Sequence, residues 1–124
     1  MFAKDIMTTN VVTVTPKATI KEAITLLVNI EISGLIVLDE ANEVVGVISE
    51  KDLLVAFDFL EVTKATIQDF ISKKVISVQE DTPIEEISRV LIEGNIRRVP
   101  VLKDKKLVGV VSRRDILKYI LNKK

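Results

Sequence analysis

The sequence predicts an α+β fold made of two β-α-β-β-α repeats packed with pseudo-two-fold symmetry. Three observations carry this reading. The chain repeats itself across nearly its whole length. Short β-branched runs alternate with helical apolar patterns inside each copy. A strand ending Gly-h-h-Ser-x-x-Asp (h apolar) occurs twice, as Gly46-Val-Ile-Ser49-Glu-Lys-Asp52 and Gly109-Val-Val-Ser112-Arg-Arg-Asp115.

The repeat sets the frame. Asp5-Ile-Met-Thr-Thr-Asn-Val-Val-Thr-Val14 matches Asp69-Phe-Ile-Ser-Lys-Lys-Val-Ile-Ser-Val78 at an offset of 64, and the Gly-to-Asp motifs match at 63. One residue is therefore lost from the loop that holds Ala41-Asn42 in the first copy. The expected division is 1–64 and 65–124. About sixty residues bury too little surface for a secure fold alone, so two copies are expected to pack together.

Each copy opens with a short β segment, Val11–Val14 in the first, followed by a loop proline, Pro16 or Pro83. A helix follows. Thr19-x-x-Glu22 and Thr82-x-x-Glu85 both fit capping boxes. Ile20, Ala23, Ile24 and Leu27 recur at helical spacing, as do Ile84, Ile87, Val90 and Leu91. Leu35–Leu38 and Val44–Ile48, separated by polar Asp39–Glu43, read as a hairpin, repeated as Val99–Leu102 and Leu107–Val111. A last helix starts after each serine. Leu53, Leu54 and Phe57 line the first, and Ile116, Leu117, Ile120 and Leu121 the second.

Composition narrows the function. The chain is 48% hydrophobic and 29% charged, which supports a folded core with a solvated surface. It has no cysteine and no histidine, which removes disulfides, thiolate zinc sites, cysteine nucleophiles and histidine bases. No tight carboxylate pair stands out, so neither an enzyme nor a metal site is expected. Lys and Arg balance Asp and Glu at 18 each, and one tyrosine, four phenylalanines and no tryptophan offer little stacking surface. Nucleic-acid binding is thus disfavoured. The N-terminus lacks the pattern of a signal peptide, and the apolar runs are strand-length, so a cytosolic, non-membrane protein is expected. Charge is unevenly spread: residues 1–64 carry 5 basic and 10 acidic side chains, residues 65–124 carry 13 and 8. An anion should lean on the second half.

Ser-x-x-Asp at a helix start has two compatible readings. The pair can cap the helix, the serine accepting from the third amide and the acid from the serine's own. The hydroxyl, the carboxylate and the helix amides can also form a small polar pocket suited to a phosphate and a ribose. Arg97-Arg98 before the last hairpin supplies a phosphate fork or a solvated edge charge. Arg113 and Arg114 stand in the first turn of a helix, a poor place for cations, where an anion or open solvent would offset them.

In order and spacing, Asp5-Ile-Met-Thr8, Thr19-Ile-Lys-Glu-Ala23, Arg98-Val-Pro-Val101 and the two Gly-to-Asp motifs resemble a tandem cystathionine β-synthase (CBS) domain pair, or Bateman module, over essentially all 124 residues. The resemblance implies a non-catalytic regulatory module that binds an adenosine-containing ligand (AMP, ADP, ATP or S-adenosylmethionine) in clefts between the repeats. By position it implies one cleft using Ser112, Asp115, Arg97 and Arg98 with Val11 and Val12, and another using Ser49 and Asp52 with Val75 and Ile76. The aspartates would hold ribose, the serines phosphate, and the valine and isoleucine backbone adenine. The first repeat has Ser33-Gly34 in place of the arginines and Ile36 in place of Pro100, so the Ser112 cleft is expected to grip phosphate more strongly. The family also implies a homodimer and an output to an effector protein. A competing reading is an interaction scaffold with empty or vestigial clefts.

Overall fold

In the computed structural model, residues 1–59 and 64–123 are described. The elements run α1 (Ala3–Ile6), β1 (Thr13–Val14), α2 (Ile20–Ile30), β2 (Gly34–Leu38), β3 (Val44–Ser49), α3 (Glu50–Phe59), a 3-10 turn at Gln68–Phe70, β4 (Val78–Gln79), α4 (Ile84–Glu93), β5 (Arg98–Lys103), β6 (Lys106–Ser112) and α5 (Arg113–Asn122). They form two three-stranded sheets of the same design, β1-β2-β3 and β4-β5-β6. The first pair of each is parallel and the second antiparallel. The architecture is α+β with two repeats, as the sequence predicts. Leu60 and the Glu61-Val62-Thr63 part of the expected link lie outside the described residues.

The opening strand is shorter than the sequence implies. Only Thr13 and Val14 pair with Ile36 and Val37, so Val11 and Val12 precede the ladder. The hairpins are slightly longer. β5 and β6 turn through Asp104 and Lys105, whose φ of 51° and 70° match the left-handed positions of a two-residue turn. In the longer first loop the Asp39 carboxylate accepts from the amides of Ala41 (2.9 Å) and Glu43 (3.0 Å), which adds to the backbone turn bonds from Asp39 N to Glu43 O and from Asn42 N to Asp39 O.

One capping box forms and the other does not. Thr19 Oγ1 accepts from Glu22 N at 3.0 Å and opens α2. In the second repeat the N-cap is Pro83, which has no side-chain acceptor, and α4 starts one residue later than a Thr82 box would place it. Thr82 Oγ1 instead accepts from Gln79 N at 3.0 Å, closing the preceding turn.

The chain forms two compact units, Val12–Val75 and Met1–Val11 with Ile76–Lys124. These differ from the sequence repeat because each repeat's opening segment docks on the other repeat's helix and hairpin. The first amide of α4, Ile84 N, donates to Met1 O at 3.2 Å, and that of α2, Ile20 N, donates to Ala65 O at 2.9 Å. Thr8 exchanges two backbone bonds with Val110, at 2.8 and 2.9 Å, and Ser72 does the same with Val47, at 2.9 and 3.0 Å.

Each unit has its own core. Ile20, Ala23, Leu27, Leu35, Val37, Ile48, Leu53 and Ile67 are buried together in one. Ala3, Ile84, Ile87, Leu91, Val99, Val101, Val111 and Ile116 are buried together in the other. Ala3 and Ile67 sit at equivalent places, each brought in by the docked segment. Leu54, Phe57, Leu117, Ile120 and Leu121, which share the apolar pattern of the last helices, are exposed. No helix among the described residues is long and apolar enough to cross a membrane.

Candidate functional site

The motif glycines place the serines. A Cβ on Gly109 would lie 2.6 Å from Met7 Sδ and 2.9 Å from Thr8 O; one on Gly46 would collide with Ile71 Cγ2 and lie 2.7 Å from Ser72 O. Only glycine lets the docked segment cross the hairpin this closely. Three residues further on, β6 ends at Ser112 and β3 at Ser49. Along the crossing segments, Val11 follows Thr8 by three residues and Val75 follows Ser72 by three. Val11 and Val75 are half-buried, and Val12 and Ile76 are exposed.

Both Ser-x-x-Asp pairs form the capping arrangement. Ser112 N donates to Asp115 Oδ2 at 2.8 Å, and Asp115 N donates to Ser112 Oγ at 3.0 Å. Ser49 N donates to Asp52 Oδ2 at 2.8 Å, and Asp52 N donates to Ser49 Oγ at 3.3 Å. The Ser49 hydroxyl also donates to Asp52 Oδ2 at 2.9 Å. All four residues are half-buried, so each hydroxyl and carboxylate is fixed yet reachable.

The two repeats differ beside the serine. Arg98 is the cross-strand partner of Ser112, whereas Gly34 is the partner of Ser49. Partners directly across a ladder present their side chains on the same face. Half-buried Arg98 is partly stripped of water, and this burial pushes its guanidinium below the usual arginine range. A guanidinium remains protonated at neutral pH, so the strand holds a partly desolvated cation. Arg97 is exposed; its carbonyl accepts from Arg113 N at 2.9 Å. Ser112, Asp115, Arg97, Arg98 and Val11 thus belong to one compact unit, and Ser49, Asp52, Val12 and Val75 to the other.

Sequence reasoning missed two features. Arg113 Nε donates to Ile96 O at 2.9 Å, so this first-turn cation has a structural partner. Asp115 also lines a cleft of about 410 Å³ with Ile6, Lys118 and Tyr119. Asp115, Lys118 and Tyr119 follow i, i+3, i+4 spacing on α5, a signal that could have found them.

Two hairpins, each ending in a capped helix with a hydroxyl and a carboxylate at the joint, define a tandem module of two like units. The chain belongs to the CBS domain family, whose model matches residues 3–58 and 67–122. It is 32% identical over 117 residues to inosine-5'-monophosphate dehydrogenase of Methanocaldococcus jannaschii, covering 94% of this chain and 23% of that enzyme. The chain therefore spans less than a quarter of that relative's length. It is similar to the crystal structure of CBSX2, from Arabidopsis thaliana, in complex with AMP (TM-score 0.86, 30% identity, 97% of this chain and 96% of that one). It is also similar to the CBS domain pair of protein MJ0100 in complex with 5'-methylthioadenosine and S-adenosyl-L-methionine (TM-score 0.82, 30% identity, 100% and 98%).

Proposed function

We propose that this chain is a regulatory module that binds an adenosine-containing ligand from the cytosolic pool, with a 5'-phosphate nucleotide such as AMP as the preferred class. Ser112 and the α5 amides would meet phosphate, assisted by Arg98 and Arg97. Asp115 would hold the ribose hydroxyls, and backbone at Val11 and Val12 the adenine edge. Ser49 and Asp52, with Val75 and Ile76, would form a second and weaker site that lacks the arginines. The single observation that carries this reading is the Arg98–Ser112 pair, a half-buried cation beside a hydroxyl at a helix start. A guanidinium on the same sheet face as a helix-capping hydroxyl is suited to donate charge-assisted hydrogen bonds to a phosphate at that helix start. Relatives crystallised with AMP, and with methylthioadenosine and S-adenosylmethionine, support the adenosine class.

The module would act as a homodimer through the exposed apolar side chains of α3 and α5, and pass its signal to an effector protein. Neither catalysis nor metal is part of this role.

Calorimetric titration tests it. AMP should bind more tightly than adenosine, and more tightly than GMP, because a mismatched base edge leaves buried polar groups unpaired. A chelator should not change the affinity. Equal affinity for AMP and GMP would remove the adenine reading. No binding of any adenosine compound would leave the interaction scaffold as the function.

A further inference from the structure

Arg113 is the first residue of α5, where the helix dipole disfavours a cation. It makes two bonds to the turn between α4 and β5. Its backbone N donates to Arg97 O at 2.9 Å, and its side-chain Nε donates to Ile96 O at 2.9 Å. That turn leaves α4 through Gly94 and Asn95, the latter at a φ of 50°, and delivers Arg97 and Arg98 to the head of β5. In the first repeat the backbone half of this link is kept: Glu50 N donates to Ser33 O at 3.0 Å. The side-chain half has no counterpart there, because a glutamate carboxylate has no hydrogen to donate to a carbonyl. The side-chain link therefore occurs in the repeat that carries the arginine pair, and the repeat with Ser33-Gly34 has a residue that could not form it.

We propose that Arg113 is a positioning residue for the phosphate grip: by holding the Ile96 carbonyl it fixes the turn from which Arg97 and Arg98 reach the ligand. This rests on the reading of Ser112, Arg97 and Arg98 as a phosphate site. Ordering the turn before the ligand arrives removes an entropic cost from binding, and it does so for ligands that use the arginines. A ligand without phosphate gains nothing from it.

Two substitutions separate positioning from direct contact. Arg113→Met removes the donor. Arg113→Gln places an amide nitrogen at the same number of bonds from Cα as Nε, keeping a donor and dropping the charge. Calorimetry with AMP and adenosine, together with amide hydrogen exchange at Ile96–Arg98, reads the result; circular dichroism first verifies that both variants fold. Arg113→Met should weaken AMP by about three- to tenfold, leave adenosine unchanged and speed exchange in the turn. Arg113→Gln should stay within about twofold of the parent for AMP. Unchanged AMP affinity in Arg113→Met overturns the proposal. Equal losses in both variants overturn it as well, since Arg113 would then act by its charge on the phosphate. The parent protein distinguishes the two levels: if it binds AMP no better than adenosine, the phosphate reading itself falls and the positioning role with it.

Discussion

Arg98 and Ser112 stand opposite each other in the β5–β6 ladder, so that an arginine and a helix-capping hydroxyl share a register. The equivalent register in the first repeat pairs Gly34 with Ser49. This difference makes the two otherwise similar joints chemically unequal. Arg98→Ala should therefore weaken AMP by about 1.5–3 kcal/mol, roughly ten- to a hundredfold, the usual loss of a charge-assisted hydrogen bond. Adenosine, with no phosphate to lose, should be little affected. Parallel calorimetry of both ligands checks this, and a similar loss for adenosine would place Arg98 elsewhere in the site.

The same pair predicts a pH dependence of unusual origin. The chain contains neither histidine nor cysteine, so it has no side chain whose ordinary pKa lies between 5 and 8. A phosphate monoester, in contrast, takes its second charge near pH ~6. AMP affinity should rise as pH increases from 5 to 7.5, since the dianion pairs better with a guanidinium, while adenosine affinity stays flat. Titrations at several pH values compare the two slopes. A rise of the same size for adenosine would assign the effect to the protein and not to the phosphate.

The aspartates test the double role of the capping pair. Asp115 accepts from Ser112 N at 2.8 Å, and Asp52 from Ser49 N at 2.8 Å. Either aspartate changed to alanine loses that bond and a favourable first-turn carboxylate, at a cost of about 0.5–2 kcal/mol in stability. Both variants should melt earlier by similar amounts. Asp115→Ala should in addition weaken AMP and adenosine alike, because ribose is common to both. If Asp52→Ala abolishes AMP binding while Arg98→Ala does nothing, the principal site lies at Ser49.

Much of this was legible from spacing alone. The hairpins and the serine-started helices follow from local patterns of two, three or four residues, which backbone geometry enforces directly, and the repeat follows from the self-match at offsets of 63 and 64. The Arg98–Ser112 pairing was not legible in this way: continued from the tight turn at Lys103 and Lys106 the register would set Arg97 opposite Ser112, and the shift between Val101 and Leu102 moves Arg98 there instead. The docking of Met1–Val11 beside Val110 was not legible, because it depends on single bridges such as Thr8–Val110 that have no periodicity. Thr82 misled for a different reason: it satisfies a capping pattern, but Pro83 takes the cap position and leaves its hydroxyl to the turn. Arg113 reads as a misplaced charge until the Ile96 carbonyl is seen beside it.

Gly46 and Gly109 make the docked segments possible, and replacing either should be costly. At Gly109 an added methyl would lie 2.6 Å from the Met7 sulfur and 2.9 Å from the Thr8 carbonyl oxygen. The methionine can move, but the carbonyl is held by the Thr8–Val110 bonds. At Gly46 the carbonyl of Ser72, bonded to Val47, is the fixed obstacle. Each Gly→Ala change should destabilise the fold by about 1–3 kcal/mol, the range for overpacking. Gly109→Ala should also speed amide exchange at Thr8 and Val110, which a general loss of stability would not localise. Chemical denaturation and residue-level exchange measure both.

The last helices bear on the assembly. Leu54 and Phe57 on α3 are 69% and 67% exposed, and Leu117, Ile120 and Leu121 on α5 are 64%, 59% and 82% exposed. Phe57 and Leu54 flank an apolar groove of about 290 Å³ formed with Ile24, Leu27 and Leu53 from α2 and α3. Exposed apolar side chains grouped along a single helix usually mark an interface, and isologous pairing of two copies is the commonest way to cover them. Sedimentation at micromolar concentration should therefore give a dimer. Phe57→Lys and Leu121→Lys should shift it toward monomer without unfolding either core, because both side chains are largely exposed and belong to neither buried set. A charge buried without a partner is heavily penalised in an interface but tolerated on a free surface. Only monomer in the parent protein, or dimers unaffected by both substitutions, would show that these helices do not mediate self-association.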